Sequence, residues 1–241
     1  MVIASDGDVG IGTTAPTRHL HLHDDTQPYF HMTNNTTGQT TSDGFDILVD
    51  NSTGKAIINQ RENQPIEFFV NNTESLQLET DGDLTFVRSG TGVHLGVTSA
   101  ADSNLLDDYE EGSFTPQYRG SAGSAGSLAY TDQSGRYTKI GRVVNVQIRV
   151  VLSNNGSFSS GGSIEIYGLP FTVTNVGAPP PASLEIRQVN LSNHTVIASF
   201  SDGNTYCKIK ELQSGNNPAQ VLHSATASNS VFVINGSYIS E

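Results

Sequence analysis

Short alternating stretches of apolar and polar residues fill the first part of the chain. From residue 9 to 97, each stretch places apolar side chains at every second position and then ends at Gly, Asn, Asp or Thr. Such alternation is typical of a strand with one buried face, and stretches spaced by about 8–11 residues are typical of strands joined by tight turns. The pattern predicts strands with these apolar positions: Phe45, Ile47 and Val49; Ile66, Phe68 and Val70; Leu76 and Leu78; Leu84 and Phe86; Val93, Leu95 and Val97.

These predicted strands carry too few apolar side chains to form a core of their own. Ordering the backbone costs roughly 1–2 kcal/mol per residue, and each buried aliphatic side chain returns only about 1.5–3 kcal/mol. The deficit disappears if several chains wind around a common axis and bury their apolar faces against one another. We therefore predict that residues 1–98 form a slender oligomeric β shaft.

The alternation stops at residues 99–112, SAADSNLLDDYEEG. Leu105, Leu106 and Tyr109 fit one helical stripe, but four acidic residues lie between Asp107 and Glu111, which favours a short helix or an extended acidic linker at a domain boundary. Longer alternating stretches follow in residues 113–241, separated by Asn-Gly, Gly-Gly, Asp-Gly and Pro-Pro turns. This part predicts an antiparallel β-sandwich head, jelly-roll-like, with strands at 136–152, 163–173, 183–189, 195–200, 205–212 and 231–239. The fold class is all-β.

Charge is distributed unevenly along the 241 residues. Residues 1–112 hold 4 basic and 18 acidic side chains, a balance of −14, whereas residues 113–241 hold 8 basic and 6 acidic ones, a balance of +2. Phosphates would repel the first part, and the second has no basic cluster that could follow a nucleic-acid backbone. We expect no nucleic-acid partner.

Cys207 is the single cysteine, which excludes an intrachain disulfide.

No stretch of the sequence predicts export or membrane insertion. The N-terminal MVIASDGDVGIG has neither a basic n-region nor an apolar h-region, and no run approaches the ~20 apolar residues that a membrane span needs. We expect synthesis in a cytoplasm and no membrane insertion.

Several segments carry a resemblance to a known family. VGIGTTAP at Val9–Pro16, followed by the strand RHLHLH, resembles a unit of the shafts of tailed-bacteriophage fibre and appendage proteins, and ESLQLETDGD at Glu74–Asp83 resembles the strand and turn before such a unit. LLDDYEEGSFTP, GRYTKIGRVVNVQIRV and YGLPF, in this order, resemble the C-terminal module of many phage tail and fibre proteins.

The resemblance implies a homotrimeric virion fibre with a β shaft and a terminal β-sandwich knob. It implies other virion proteins as partners, and a bacterial surface glycan or protein as the receptor. The expected location is the virion, as an appendage of the phage tail or capsid.

His19, His21 and His23 alternate with Leu20 and Leu22, so the histidines share one face of a strand and the leucines the other. Histidines facing a threefold axis could form an octahedral transition-metal site. Burial of uncoordinated imidazoles is unfavourable, however, while burial of leucines is not. We interpret the leucines as inward and the histidines as solvated, with no metal and no cofactor.

The acidic run Asp107, Asp108, Glu110 and Glu111 could supply the carboxyl pair of a glycosidase. Such a pair faces across a cleft at about 5–10 Å with one member desolvated, whereas a dense acidic run favours a solvated connector. Asp6-Gly-Asp8 and Asp81-Gly-Asp83 lack the later ligands of a calcium loop, and Gly10 and Gly12 lack the third glycine of a dinucleotide motif. We expect no enzymatic activity.

Glycan binding in the head would depend on tyrosine because the chain has no tryptophan. Tyrosines on alternate strand positions are more often part of a core, and Cys207, in an alternating strand, is typical of a small buried residue. The tyrosines that qualify are Tyr118, Tyr130, Tyr137, Tyr167, Tyr206 and Tyr238.

The sequence thus favours a structural virion fibre that binds a host receptor through its head. A capsid-decorating or baseplate fibre without a receptor role is one alternative. A polysaccharide-degrading tailspike is another.

Overall fold

The computed structural model describes residues 1–96, 104–121, 126–157, 162–191, 195–212, 219–221 and 223–240. Contacts divide the chain into two units, Met1–Gly92 and Val93–Glu241. The all-β prediction is confirmed, because these ranges contain strands, turns and the 3₁₀ turn His223–Ala225 but no α-helix. Within them, no helix has the length and apolar character that a membrane span requires.

The N-terminal unit consists of three separate three-stranded sheets in its described residues. Each sheet joins three strands that are consecutive in the chain, and all pairs are antiparallel except the parallel pair of the second and third strands. The strands are β1 (Val2–Ile3), β2 (Val9–Ile11), β3 (Leu20–Leu22), β4 (Tyr29–Met32), β5 (Phe45–Val49), β6 (Ala56–Gln60), β7 (Ile66–Val70), β8 (Thr73–Leu78) and β9 (Leu84–Thr85).

This unit has almost no apolar interior. Among its described residues, Leu48 is the one large apolar side chain that is buried, with 6% of its surface exposed. A single buried leucine returns about 1.5–3 kcal/mol, far less than the cost of ordering a strand of five residues. The small core expected from the sequence is therefore a property of the folded chain as well.

The C-terminal unit begins with the paired strands β10 (Val93–His94) and β11 (Leu105–Leu106). Ten further strands form one sheet: β12 (Tyr109–Phe114), β13 (Gln117–Gly120), β14 (Gly126–Ile140), β15 (Val143–Ser157), β16 (Ile164–Tyr167), β17 (Pro181–Val189), β18 (Val196–Phe200), β19 (Tyr206–Glu211), β20 (Ala219–Gln220) and β21 (Thr226–Ile239).

Strand β17 joins the two halves of this antiparallel sheet. The order is β12-β14-β15-β21-β17-β18-β19-β16-β13, with β20 beside β19; β17 pairs with β21 through Ser183–Val189 and with β18 through Pro181 and Ala182. The sheet curls, so that Tyr118 on β13 contacts Phe232 on β21 with ring centroids 5.6 Å apart. The two layers of the predicted sandwich are thus one continuous sheet.

A single hydrophobic core fills the space enclosed by the curled sheet. Its fully buried large side chains come from both halves, and Phe200 and Tyr238 are in contact across it with ring centroids 5.0 Å apart. Burial of this many apolar side chains supplies the interior that the N-terminal unit lacks. The largest are Tyr118, Tyr238, Phe200, Phe232, Ile148, Leu152, Ile164, Ile166, Ile209 and Ile234.

Three predicted segments differ from the structure. The stretch 136–152 contains the hairpin turn at Gly141, whose φ of +55° suits glycine, between β14 and β15. The stretch 163–173 is a strand only over Ile164–Tyr167. The sequence predicts a boundary at 98 and a linker over 99–112, whereas the contacts divide the chain between Gly92 and Val93 and place the linker in the C-terminal unit. Residues 97–103 lie outside the described residues. From Tyr109 onward the acidic run is part of strand β12.

Candidate functional site

The middle sheet of the N-terminal unit has one face that is apolar except for Gln60, which lies opposite Phe45. Cross-strand partners share a face of a sheet, and one row joins Phe30, Ile47 and Ile58, which are 45%, 47% and 59% exposed. Neighbouring rows on this face are Met32 with Phe45 and Val49 with Ala56. No side chain of the described residues covers this face enough to bury it.

The other two sheets of this unit repeat the arrangement. In the third sheet one face carries Ile66, Phe68, Leu76, Leu78 and Leu84, and the opposite face carries Glu67, Gln77 and Thr85. In the first sheet one face carries Ile3, Val9, Ile11, Leu20 and Leu22, and the opposite face carries Val2, Gly10 and His21. We call these three surfaces the apolar faces.

Two of the apolar faces border one open cavity. Its volume is about 470 Å³, and its walls include Leu20 and Leu22 from the first sheet and Phe30, Ile47 and Val49 from the second. Apolar faces that are left exposed on a chain are candidate sites of association.

The histidine strand places His21 on the face opposite Leu20 and Leu22. In the single chain Leu20 is 53% exposed, His19 and His23 are exposed, and His21 is half-buried. Each histidine has a local partner: Nδ1 of His19 lies 2.8 Å from Asp8 Oδ1, Thr17 N–H donates to His21 Nδ1 at 3.4 Å, and His23 Nε2 lies 3.5 Å from Asp25 Oδ1. Within the described residues, no three His, Cys, Asp or Glu side chains are grouped to hold a metal ion.

Asp46 is a buried carboxylate on the other face of the middle sheet, where the sequence analysis gave no candidate. Its side chain is fully buried, His31 Nδ1 donates to Oδ1 at 2.6 Å, and Arg61 Nε donates to Oδ2 at 2.5 Å. Burial alone would raise the pKa of Asp46, but the hydrogen bonds from His31 and Arg61 and the charges of both lower it below the usual carboxyl value. The pair Asp46 and His31 are opposite each other in the register of β4 and β5, and tertiary pairing alone brings them together.

The acidic run joins the three motifs of the C-terminal module. Asp108 forms an ion pair with the buried Lys139 of YTKIGR, and Tyr137 of the same motif donates to Glu110. Lys139 lies over the ring of Phe171 from YGLPF, with Nζ 5.4 Å from the centroid. Asp108 and Glu110 thus contact side chains of the C-terminal unit, whereas the sequence favoured a solvated connector without such partners.

Glu111 accepts a hydrogen bond from Tyr109 at 2.9 Å, and Asp107 is exposed. The described contacts of the run are therefore contacts within the fold, made by strand β12 and the residues just before it.

The six candidate tyrosines separate into three pairs. Tyr118 and Tyr238 are buried in the core, where burial raises the pKa of both, to about 12 for Tyr238. The half-buried Tyr130 and Tyr137 use their hydroxyls within the protein, with Tyr130 donating to the Tyr118 carbonyl at 3.2 Å. Tyr167 and Tyr206 stack at the surface with centroids 4.5 Å apart, and Arg119 and Lys208 lie over their rings.

A polar surface lies on the outer side of β12, β14, β15 and β21, and of its residues the sequence analysis named only Glu111 and Tyr137 as candidates. An open cavity of about 540 Å³ there is lined by Glu111, Gly112, Ser113, Arg136, Tyr137, Thr138, Asn145 and Gln147. A second cavity of about 310 Å³ shares Arg136 and Gln147 with the first and continues to Asn235. We call these two adjacent cavities the polar groove. The residues of the first cavity lie in the segments LLDDYEEGSFTP and GRYTKIGRVVNVQIRV, but nothing in those segments shows that they line one surface.

Comparison with known proteins assigns the chain to no family. No protein-family model matches the chain, and no curated protein is significantly similar to it. A similar solved structure is the crystal structure of the Dettilon tailspike protein (gp208), with a TM-score of 0.46 and 21% identity over 55% of this chain. The match spans 24% of the tailspike chain. A match at this level carries no argument about function, which therefore depends on the residues and their geometry.

Proposed function

We propose that this chain is a structural fibre of a tailed-bacteriophage virion, assembled as a homotrimer through its N-terminal unit. The observation that carries the proposal is the set of three apolar faces, each with exposed apolar side chains in one chain, while Leu48 is the one large buried apolar side chain among the described residues of that unit. Chains that associate through these faces would gain the interior that each lacks.

The number of chains and the virion location come from the family resemblance. VGIGTTAP and RHLHLH lie in the unit with the apolar faces, and RHLHLH holds the strand that places Leu20 and Leu22 on one of them. Three copies related by a closed rotation would bring the same face of each chain to a common axis, with no open end left to aggregate. His19, His21 and His23 would then be directed away from that axis, and the assembly would need no metal.

The C-terminal unit would bind the host receptor, a bacterial surface glycan or protein. This unit has its own core, which does not depend on its outer surfaces being covered. Two outer surfaces present polar groups on regular strands. One is the polar groove, and the other is the stacked pair Tyr167 and Tyr206. The proposed role is binding without catalysis.

The assembly is tested by native mass spectrometry and sedimentation of the full chain. We expect a trimer that persists at low micromolar concentration; a stable monomer would contradict the proposal.

The receptor role is tested by adding the assembled chain to host cells before the phage. We expect fewer adsorbed phage, and a trimer that leaves adsorption unchanged at saturation would favour a capsid or baseplate fibre instead. Release of reducing ends from host polysaccharide would favour the tailspike alternative.

A further inference from the structure

The polar groove presents two cross-strand rows that contain no apolar residue. The register aligns one row as Glu111, Thr138, Asn145 and Ser237, and the other as Ser113, Arg136, Gln147 and Asn235. Strands in a sheet are about 4.8 Å apart, so each row sets four polar side chains at regular intervals across the sheet. The core residues Val144, Val146 and Ile148 alternate with Asn145 and Gln147 along β15, so burial of the first set fixes the strand that carries the second.

Much of the hydrogen-bonding capacity of the groove is unused. Among the described residues, Ser113, Arg136, Thr138 and Gln147 have no side-chain hydrogen bond or ion pair with the protein. Asn145 Oδ1 accepts from Ser237 Oγ at 2.5 Å, which leaves the amide nitrogen of Asn145 open. Arginine offers five donors, and glutamine offers donors and an acceptor. The groove thus presents both kinds of group on rigid strands, as a preorganised site does.

The chemistry of these groups defines the ligand class. A sugar hydroxyl both donates and accepts, and it matches amides, hydroxyls, a guanidinium and a carboxylate. The positive charge of Arg136 is opposed by Glu111 at the same cavity, and the nearby Arg149 is already paired with Asp132, which disfavours a polyanion. Tyr137, the aromatic residue in the wall, has its ring edge-to-face with Phe171 at 5.4 Å. The second cavity adds the buried Ile148 and the half-buried Val233, and none of the residues that line the two cavities is an exposed large apolar side chain that could anchor a peptide.

We propose that the polar groove binds a neutral, hydroxyl-rich bacterial surface polysaccharide, with Arg136 and Gln147 as its central hydrogen-bonding residues. The inference rests on the proposed receptor role of this unit and names the site and the ligand class. The cavity volumes of about 540 Å³ and 310 Å³ lie within the range of sites that hold small ligands. The open groove would let a chain of sugars continue past both ends.

The test uses the assembled full chain on an immobilised panel of purified neutral and acidic bacterial polysaccharides. We expect binding to at least one neutral member, and we expect Arg136→Ala combined with Gln147→Ala to weaken it at least tenfold. The matched control is Tyr206→Ser on the other half of the sheet, which should leave binding within twofold of the unmodified chain. Circular dichroism and thermal unfolding check that each variant keeps the fold.

Contrary results of the binding test overturn the inference, and the adsorption results separate it from the proposed receptor role. Binding that is lost in Tyr206→Ser but kept in the groove variant would assign the ligand to the tyrosine pair. Binding to acidic members alone, or to none, would exclude the ligand class. If the groove variant inhibits phage adsorption as well as the unmodified chain does, the groove inference fails while the proposed receptor role stands. If neither inhibits adsorption but the groove variant loses polysaccharide binding, the receptor role fails while the groove stands.

Discussion

His31 donates a hydrogen bond from Nδ1 to Oδ1 of Asp46 at 2.6 Å, and the Asp46 side chain has no exposed surface. Arg61 occupies the other carboxylate oxygen at 2.5 Å. A fully buried carboxylate is rare unless both oxygens are satisfied. This arrangement makes the N-terminal unit dependent on the ionised state of one residue.

The stability of the N-terminal unit should fall in acid because of Asp46. The folded-state pKa of Asp46 lies below the usual value, so its stabilising contribution is present above the ordinary carboxyl pKa of about 3.9 and is lost as the pH falls through the folded-state value. We expect Asp46→Asn to cost about 1–3 kcal/mol at pH 7 and to make unfolding below about pH 4 less dependent on pH.

Thermal unfolding at several pH values measures this effect. Glu67→Gln is the control, because it removes an exposed carboxylate on the polar face of the third sheet. Equal pH dependence in Asp46→Asn and the unmodified chain would show that this carboxylate has no special role.

Adjacent residues of β9 should differ in their effect on assembly. Leu84 belongs to an apolar face and is 58% exposed in the single chain, whereas Thr85 pairs with Gln77 on the opposite face. Leu84→Asp should weaken the proposed trimer by at least the ~1.5–3 kcal/mol per chain of a buried leucine, and Thr85→Asp should not. Sedimentation across a dilution series makes the comparison. Similar dissociation of both variants would place the interface elsewhere.

Gly236 and Ala182 should show compensating substitutions. A Cβ atom at Gly236 would lie 2.7 Å from Ala182 Cβ and 2.9 Å from Phe200 Cε2, closer than packed carbon atoms approach. We expect Gly236→Ala to cost about 1–3 kcal/mol through overpacking, and we expect the added change Ala182→Gly to recover part of this loss. Denaturant unfolding of both variants measures the coupling. Additive losses would mean that the two residues do not share this space.

Cys207 should be unreactive in the folded protein. The thiol is buried in the core, and burial raises its pKa to about 12. Because the thiolate is the nucleophile, iodoacetamide at pH 8 should modify Cys207 slowly in the native state and rapidly in denaturant. Mass spectrometry over time follows the modification. Rapid native labelling would indicate that the half of the sheet around β19 opens readily.

The sequence by itself determined the all-β class and the faces of individual strands. Phe45, Ile47 and Val49 alternate, and they lie on one face of β5 as predicted, because the period of a strand is a local property of the chain. The same local reasoning identified the shortage of apolar residues in the N-terminal unit. It also recognised that Leu20 and Leu22 share a face opposite to the histidines.

Only the tertiary structure decided which strands are neighbours. Asp46 meets His31 and Arg61, β17 joins both halves of the large sheet, and Arg136 lies beside Gln147 because of pairings between separate strands. Alternation tells which side of a strand a residue occupies but not which strand lies next to it, since pairing and register are set by packing and turn geometry. The sequence therefore does not show that the residues of the polar groove line one surface, although Arg136 and Gln147 are ordinary outward positions of their strands.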